Sequence, residues 1–176
     1  MKSKFLFFSA MIALCSNGYA QHCKPGSISA SVDPQQFVIN TTRGTLIDAL
    51  TGLEWSICSL GQTWQNGNCL GTPVHFNTSA QALEAASNND MGQDFRLPNI
   101  KELGSIVERS CSQPAINLSI FPGTLNAVFY SSTPDYMSDS AQFSGIHVKV
   151  IDFSDGSEFI TDVNKYRYVR LVRTVP

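Results

Sequence analysis

Four cysteines, Cys23, Cys58, Cys69 and Cys111, restrict what this chain can fold into more than any other feature. A fifth, Cys15, falls in a segment that reads as a leader. Lys2 and Lys4 precede the apolar stretch FLFFSAMIALC, and Gly18 and Ala20 supply the small residues of a cleavage site before Gln21, so residues 1–20 are read as a secretory signal peptide. The apolar stretch is too short for a bilayer anchor, and Leu14 before Cys15 does not fit a lipoprotein signal. An even number of cysteines in an exported chain predicts two disulfides, with three pairings open to them. Cys58–Cys69 is favoured because Gly61, Asn66, Gly67 and Asn68 let the loop between them turn back, which leaves Cys23 for Cys111. On the chain-entropy account the short bridge contributes roughly 3 kcal/mol and the long one roughly 4–5 kcal/mol. Zinc is a poorer use of these residues: no CxxC spacing occurs, and His22, His75 and His147 are scattered.

Residues 21–176 are a normal length for one domain with its own core. No other apolar run approaches ~18 residues, so no membrane span is expected. The whole chain holds 12 Lys and Arg against 14 Asp and Glu, and losing Lys2 and Lys4 takes the formal net charge from −2 to −4. A mildly acidic protein is a poor match for nucleic acid or other polyanions. The charge is uneven, since from residue 165 onward the chain carries Lys165, Arg167, Arg170 and Arg173 and no carboxylate.

Residues 21–43 are poor in apolar side chains and read as an extended lead-in tethered by Cys23, with a single domain over 44–176. Within that domain, GTLIDALTGLEWS (44–56) reads as a hairpin about a turn at 48–52. NTSAQALEAASN (77–88) predicts a helix capped by Thr78 or Ser79, with Ala82, Leu83 and Ala86 on one face. FYSST (129–133) reads as a short strand stopped by Pro134, and 135–145 as a polar surface loop. GIHVKVIDFSDG (145–156) alternates, with Ile146, Val148 and Val150 on one face, His147 and Lys149 on the other, and a turn at Ser154–Gly156. YRYVRLVR (166–173) alternates again, placing Arg167, Val169, Leu171 and Arg173 opposite Tyr166, Tyr168, Arg170 and Val172. The sum is α+β, with two short helices, a mostly antiparallel sheet and long loops.

FRLPNIKEL (95–103) packs most local information into the fewest residues. Pro98 disfavours helix at Leu97, so Phe95 to Leu97 should be extended, with Arg96 on the opposite side from its neighbours. Asn99 is a good N-cap and Glu102 stands three residues on, a capping-box arrangement. Ile100, Leu103, Ile106 and Val107 then share a helical face. Arg96 is open to two readings, a surface residue or a buried cation whose guanidinium donors hold carbonyls or a carboxylate around the corner.

These pieces, in this order, resemble the bacterial domain named after the C-terminal region of the Legionella collagen-like protein. The matching stretches are DALTGLEWSIC (48–58), GQTWQNGNC (61–69), DFRLPNIKELGSIVE (94–108), PAIN with FP (114–122), YSST (130–133), IDFSDG (151–156) and YVRLVR (168–173). Arg-Leu-Pro before a Glu-Leu helix and the closing Val-Arg-Leu-Val-Arg are also similar, more distantly, to the formylglycine-generating, sulfatase-modifying group. The resemblance implies a compact C-type-lectin-like domain, the closing strand near the 44–56 hairpin, and Arg96 as an internal cross-brace. Phe95, Tyr130 and Lys149 stand where the family usually has tryptophan; Lys149 implies a strand face exposed or covered differently here.

The resemblance further implies an exported recognition or adhesion domain, periplasmic or at the cell surface, bound to a glycan or a surface protein. The alternative is an accessory subunit of a surface assembly such as a pilus or adhesin complex. The namesake's link to sulfated polysaccharide needs a basic surface, for which Lys149, Lys165 and Arg167 are the candidates, while Arg170 and Arg173 read as structural. An enzyme is disfavoured: Ser131, His147 and Asp152 lack any orienting motif, and the cysteines read as bridges rather than as a reactive pair. No cofactor is expected. Calcium enters only by fold analogy, through Asp135, Asp139, Asp152 and Asp155, which lack EF-hand spacing and read better as turn residues.

Overall fold

A computed structural model describes residues 21–92, 94–137 and 145–175. The expected signal peptide, Asp139 and most of the expected 135–145 loop lie outside the described residues. Among the described residues thirteen strands are seen: β1 (His22–Cys23), β2 (Phe37–Asn40), β3 (Thr45–Asp48), β4 (Leu53–Ser56), β5 (Thr63–Gln65), β6 (Asn68–Leu70), β7 (His75–Phe76), β8 (Cys111–Ser112), β9 (Val128–Met137), β10 (Gly145–Asp152), β11 (Ser157–Asp162), β12 (Arg167–Tyr168) and β13 (Val172–Thr174). Two α-helices join them, α1 (Ser79–Ser87) and α2 (Ile100–Ser105), with a 3-10 turn at Pro34–Gln36. A four-stranded sheet runs β13-β4-β3-β2, a five-stranded sheet runs β11-β10-β9-β12-β7, and β1-β8 and β5-β6 form two small ribbons. Every pairing is antiparallel except β12 with β9. The fold is α+β and largely antiparallel. Both disulfides, Cys23–Cys111 and Cys58–Cys69, join the expected partners.

The 44–56 hairpin forms as β3 and β4, and the chain's end pairs with it, Val172 opposite Trp55. The closing segment does not alternate as one strand. Tyr168 pairs with His75 and Phe129 in the larger sheet, whereas Val172 pairs in the smaller one. Val169, Arg170, Leu171 and Val172 are all fully buried, because a segment passing from one sheet to the other is covered on both sides.

The strand expected to stop at Pro134 continues to Met137. The β9–β10 register slips between Val148 and Val150, so that three β9 residues face Lys149 alone. Such a bulge tolerates an adjacent proline, since the ladder is already interrupted. Ser131 Oγ donates to Lys149 O (2.6 Å), and Thr133 Oγ1 accepts from Ile100 N (2.9 Å) at the start of α2. The expected face of β10 is also altered. Val148 and Val150 are buried, but Ile146 is 65% exposed and His147 is buried, because the core under this sheet reaches Val148 and stops.

Two apolar clusters make the core. One gathers Leu46, Trp55, Leu103, Phe121, Phe129 and Phe153; the other gathers Ala82, Ala86, Phe95, Tyr130, Val150 and Leu171. α1 turns only Ala82 and Ala86 fully inward. Leu83, expected beside them, is 47% exposed. The 21–43 segment contributes more than a tether. It supplies β2, and its Val32 and Phe37 are buried in the first cluster. Buried Glu108 holds it down, accepting from Ser31 N (3.1 Å), Val32 N (3.1 Å) and Ser110 N (2.8 Å). Nothing in the residue types around Glu108 marked it for this role.

Candidate functional site

The FRLPNIKEL corner is built as its residue types require. Asn99 Oδ1 accepts from Glu102 N (2.9 Å), and Glu102 Oε2 accepts from Asn99 N (2.8 Å). Buried Pro98 ends the extended stretch, in which Arg96 bridges to Val172. Arg96 Nη1 and Nη2 each lie 2.8 Å from a Glu102 oxygen. Those bonds, from Arg96 first and from the Asn99 backbone as well, hold the Glu102 carboxyl below the usual carboxylate range against partial burial. Arg96 is not internal, however, for its side chain is 44% exposed. It clamps the corner from outside, because the capping glutamate it binds lies on the outer side of α2.

The internal brace is Arg170. Its Nη1 donates to Ser56 O (2.9 Å) and to Ile57 O, its Nη2 donates to Thr124 Oγ1 (2.7 Å), and its guanidinium lies 4.8 Å from the Phe121 ring centre. Full burial lowers its pKa to about 9. Arg173 is likewise structural, with Nε 2.7 Å from Glu54 Oε2.

The cations expected to form a basic patch are largely engaged within the chain. Lys149 Nζ pairs with Glu158 Oε1 at 3.2 Å, and Arg167 donates to Tyr166 O (2.7 Å) and Thr161 Oγ1 (3.3 Å). Lys165 is exposed, while its carbonyl accepts from Tyr130 OH. Of Ser131, His147 and Asp152, Ser131 Oγ donates to Lys149 O and Asp152 Oδ1 accepts from Ser154 N (2.8 Å). Asp155 Oδ1 likewise accepts from Ser157 N (2.9 Å), a turn contact. Among the described residues no group of three or more His, Cys, Asp or Glu could hold a metal ion.

What the fold does assemble is a cleft of about 660 Å³ that none of those candidates lines. Three separate pieces of chain wall it: the turn between β2 and β3, the loop closed by Cys58–Cys69, and the C-terminal end of α1. Trp64, half-buried on β5, is its central aromatic. The indole is fixed by a hydrogen bond from Nε1 to Thr41 O (2.8 Å). Gly44 makes that docking possible, because a Cβ there would lie 2.5 Å from Trp64 Cβ and the backbone has φ +66°. Phe76 is a second aromatic in the lining, and Thr42, Gln62, Thr63 and Asn88 add polar groups. Ser59 stands in the same lining. It is 1% exposed, and its Oγ has no hydrogen-bond partner among the described residues. A fixed aromatic surrounded by amides and hydroxyls can stack against an apolar ring face and hydrogen-bond its substituents. A second cleft, of about 840 Å³, lies between α1 and the chain's end around Leu83, Leu97 and Val175, with buried Phe95 as its aromatic.

Residue types alone did not single out this cleft. The available signal was Trp64 itself, one large aromatic inside a polar, glycine-rich loop bounded by cysteines. Its walls come from segments far apart in the chain. Among the described residues no helix is long and apolar enough to cross a membrane. A family model described as the Lcl C-terminal domain matches residues 44–173, most of the chain. No curated protein and no solved structure matches it.

Proposed function

The chain belongs to the Lcl C-terminal domain family, and on that premise we propose that it is an exported, non-enzymatic recognition domain with a C-type-lectin-like fold that binds a surface glycan in the Trp64 cleft. The observation that carries this reading is the pinned indole beside the polar side chains of Thr42, Thr63 and Asn88, in a cleft large enough for a few sugar rings. Two disulfides suit an oxidising compartment, the periplasm or the cell surface. Binding through Lys149, Lys165 and Arg167 is the weaker version of the proposal, because Lys149 and Arg167 already have partners. The test is a glycan array probed with the oxidised protein beside Trp64→Ala. Signals lost in a variant that keeps its unfolding midpoint support the cleft; an array silent for the wild-type protein counts against glycan recognition.

A second reading, a subunit of a surface assembly, draws on one feature. β2 is an edge strand without a charged residue, exposing Val38 and Ile39, and Leu50 in the β3–β4 turn is 77% exposed. Unguarded apolar edges of this kind favour pairing with another chain.

A further inference from the structure

We infer that the Trp64 cleft is selective for a sugar carrying a single carboxylate, with Arg43 as the group that reads it. This rests on the glycan reading of the cleft and goes beyond it by naming the ligand's charge. Arg43 and Asp90 are the charged residues among those lining the cleft. Arg43 stands on the β2–β3 turn, fixed by its own N–H donating to Asn40 Oδ1 (3.1 Å), and reaches toward the loop after α1. There Nη2 makes one long hydrogen bond, 3.5 Å to Met91 O. The other guanidinium donors have no hydrogen bond among the described residues, and Arg43 makes no ion pair among them. By contrast, Arg96, Lys149 and Arg173 are paired with carboxylates and Arg170 is buried.

A guanidinium with open donors matches a planar carboxylate in bidentate fashion. The second, independent feature is Ser59, whose buried and unpartnered Oγ lies in the same lining, so a ligand hydroxyl there would satisfy a group that otherwise carries a desolvation cost. Trp64 would take the ring's apolar face while Arg43 takes its acid. Asp90 sets the limit on charge. With one cation and one acid the cleft carries no excess positive potential, so it suits one carboxylate at one place and disfavours a polymer with a sulfate on every ring.

The test is calorimetric titration of the oxidised protein with short hexuronate oligosaccharides, with the matching neutral oligosaccharides and with sulfated neutral ones, for the wild type, Arg43→Gln and Trp64→Ala. The expected result is uronate binding about tenfold or more above the neutral sugar, that preference abolished in Arg43→Gln with neutral binding intact, and all binding lost in Trp64→Ala. Arg43→Lys, which keeps the charge without the planar fork, should recover only part of the preference. Equal binding of charged and neutral sugars by the wild type overturns the assignment to Arg43 and leaves the glycan reading standing. Preference for the sulfated ligand overturns the carboxylate. Binding of none of the three overturns both.

Discussion

Arg170 Nη2 and Thr124 Oγ1 lie 2.7 Å apart at the centre of the molecule, and Thr124 passes the contact on by donating to Phe121 O (2.7 Å). With Ser56 O and Ile57 O on its other nitrogen, the Arg170 guanidinium ties the closing segment, the end of β4 and the 112–124 loop together. Truncating it would strand buried acceptors in three places. Arg170→Met should destabilise the fold by about 3 kcal/mol, and Arg170→Lys should rescue little, since an ammonium cannot span those directions. Urea unfolding at constant m reads this directly. A midpoint unchanged by Arg170→Met would remove the brace from the account.

Arg96 and Glu102 divide differently. Arg96→Ala removes a half-exposed clamp and should cost about 0.5–1 kcal/mol. Glu102→Ala removes the clamp and the capping-box acceptor of Asn99 N together, and should cost about 1–2 kcal/mol. The order of the two losses in thermal melts is the informative result; the reverse order would restore Arg96 as the main support.

Acid should weaken the fold through three glutamates. Burial alone would raise the Glu54 carboxyl, but the hydrogen bond and charge of Arg173 hold it below its ordinary value. Glu108 is likewise depressed, its burial outweighed by Ser110 and the backbone of Ser31 and Val32, and Glu102 is depressed by Arg96. A carboxyl depressed in the folded state stabilises it above the unfolded pKa of about 4.3. That contribution is lost as pH falls from there through the folded value. Stability measured from pH 7 down to 3 should therefore drop below about pH 4.3, and Glu108→Gln should flatten part of the fall while lowering stability at pH 7. A wild-type profile flat to pH 3 would contradict it.

The cleft should depend on the short disulfide. Cys58 and Cys69 close the loop that carries Trp64. A Cys58→Ser, Cys69→Ser variant should lose about 3 kcal/mol and release the indole from Thr41, which red-shifts its emission. The molecule has two tryptophans and Trp55 is fully buried, so a native-state change in emission reports Trp64. Unchanged emission in the folded variant would show that the loop holds its shape without the bridge.

Local chemistry explains what could be foreseen. Pro98, Asn99 and Glu102 act within six residues of one another, so the corner and its cap follow from residue types, as does the turn of the β3–β4 hairpin. Cys58–Cys69 follows from a loop able to fold back. Arg170 is structural, as its residue type suggested, but the internal position expected of Arg96 falls to it because burial is decided by what arrives from elsewhere, here Ser56, Ile57 and Thr124. The β9 bulge was hidden since Pro134 reads as a stop unless the register slip beside it is known. The cleft was hidden for the same reason on a larger scale: Arg43, Trp64 and Asn88 belong to three elements that meet only in the fold.

Trp64, rather than the outer cations, is the proposed recognition group. The most direct measurement is a tryptophan-emission titration of the oxidised protein with an array-positive glycan, run beside Trp64→Phe and a Lys149→Ala, Lys165→Ala double variant, each checked for native unfolding. A saturable emission change is expected in the wild type and in the lysine variant with similar affinity, and calorimetry should detect no binding to Trp64→Phe, which lacks the reporting indole. Binding that survives in Trp64→Phe by calorimetry but disappears in the lysine variant would contradict it.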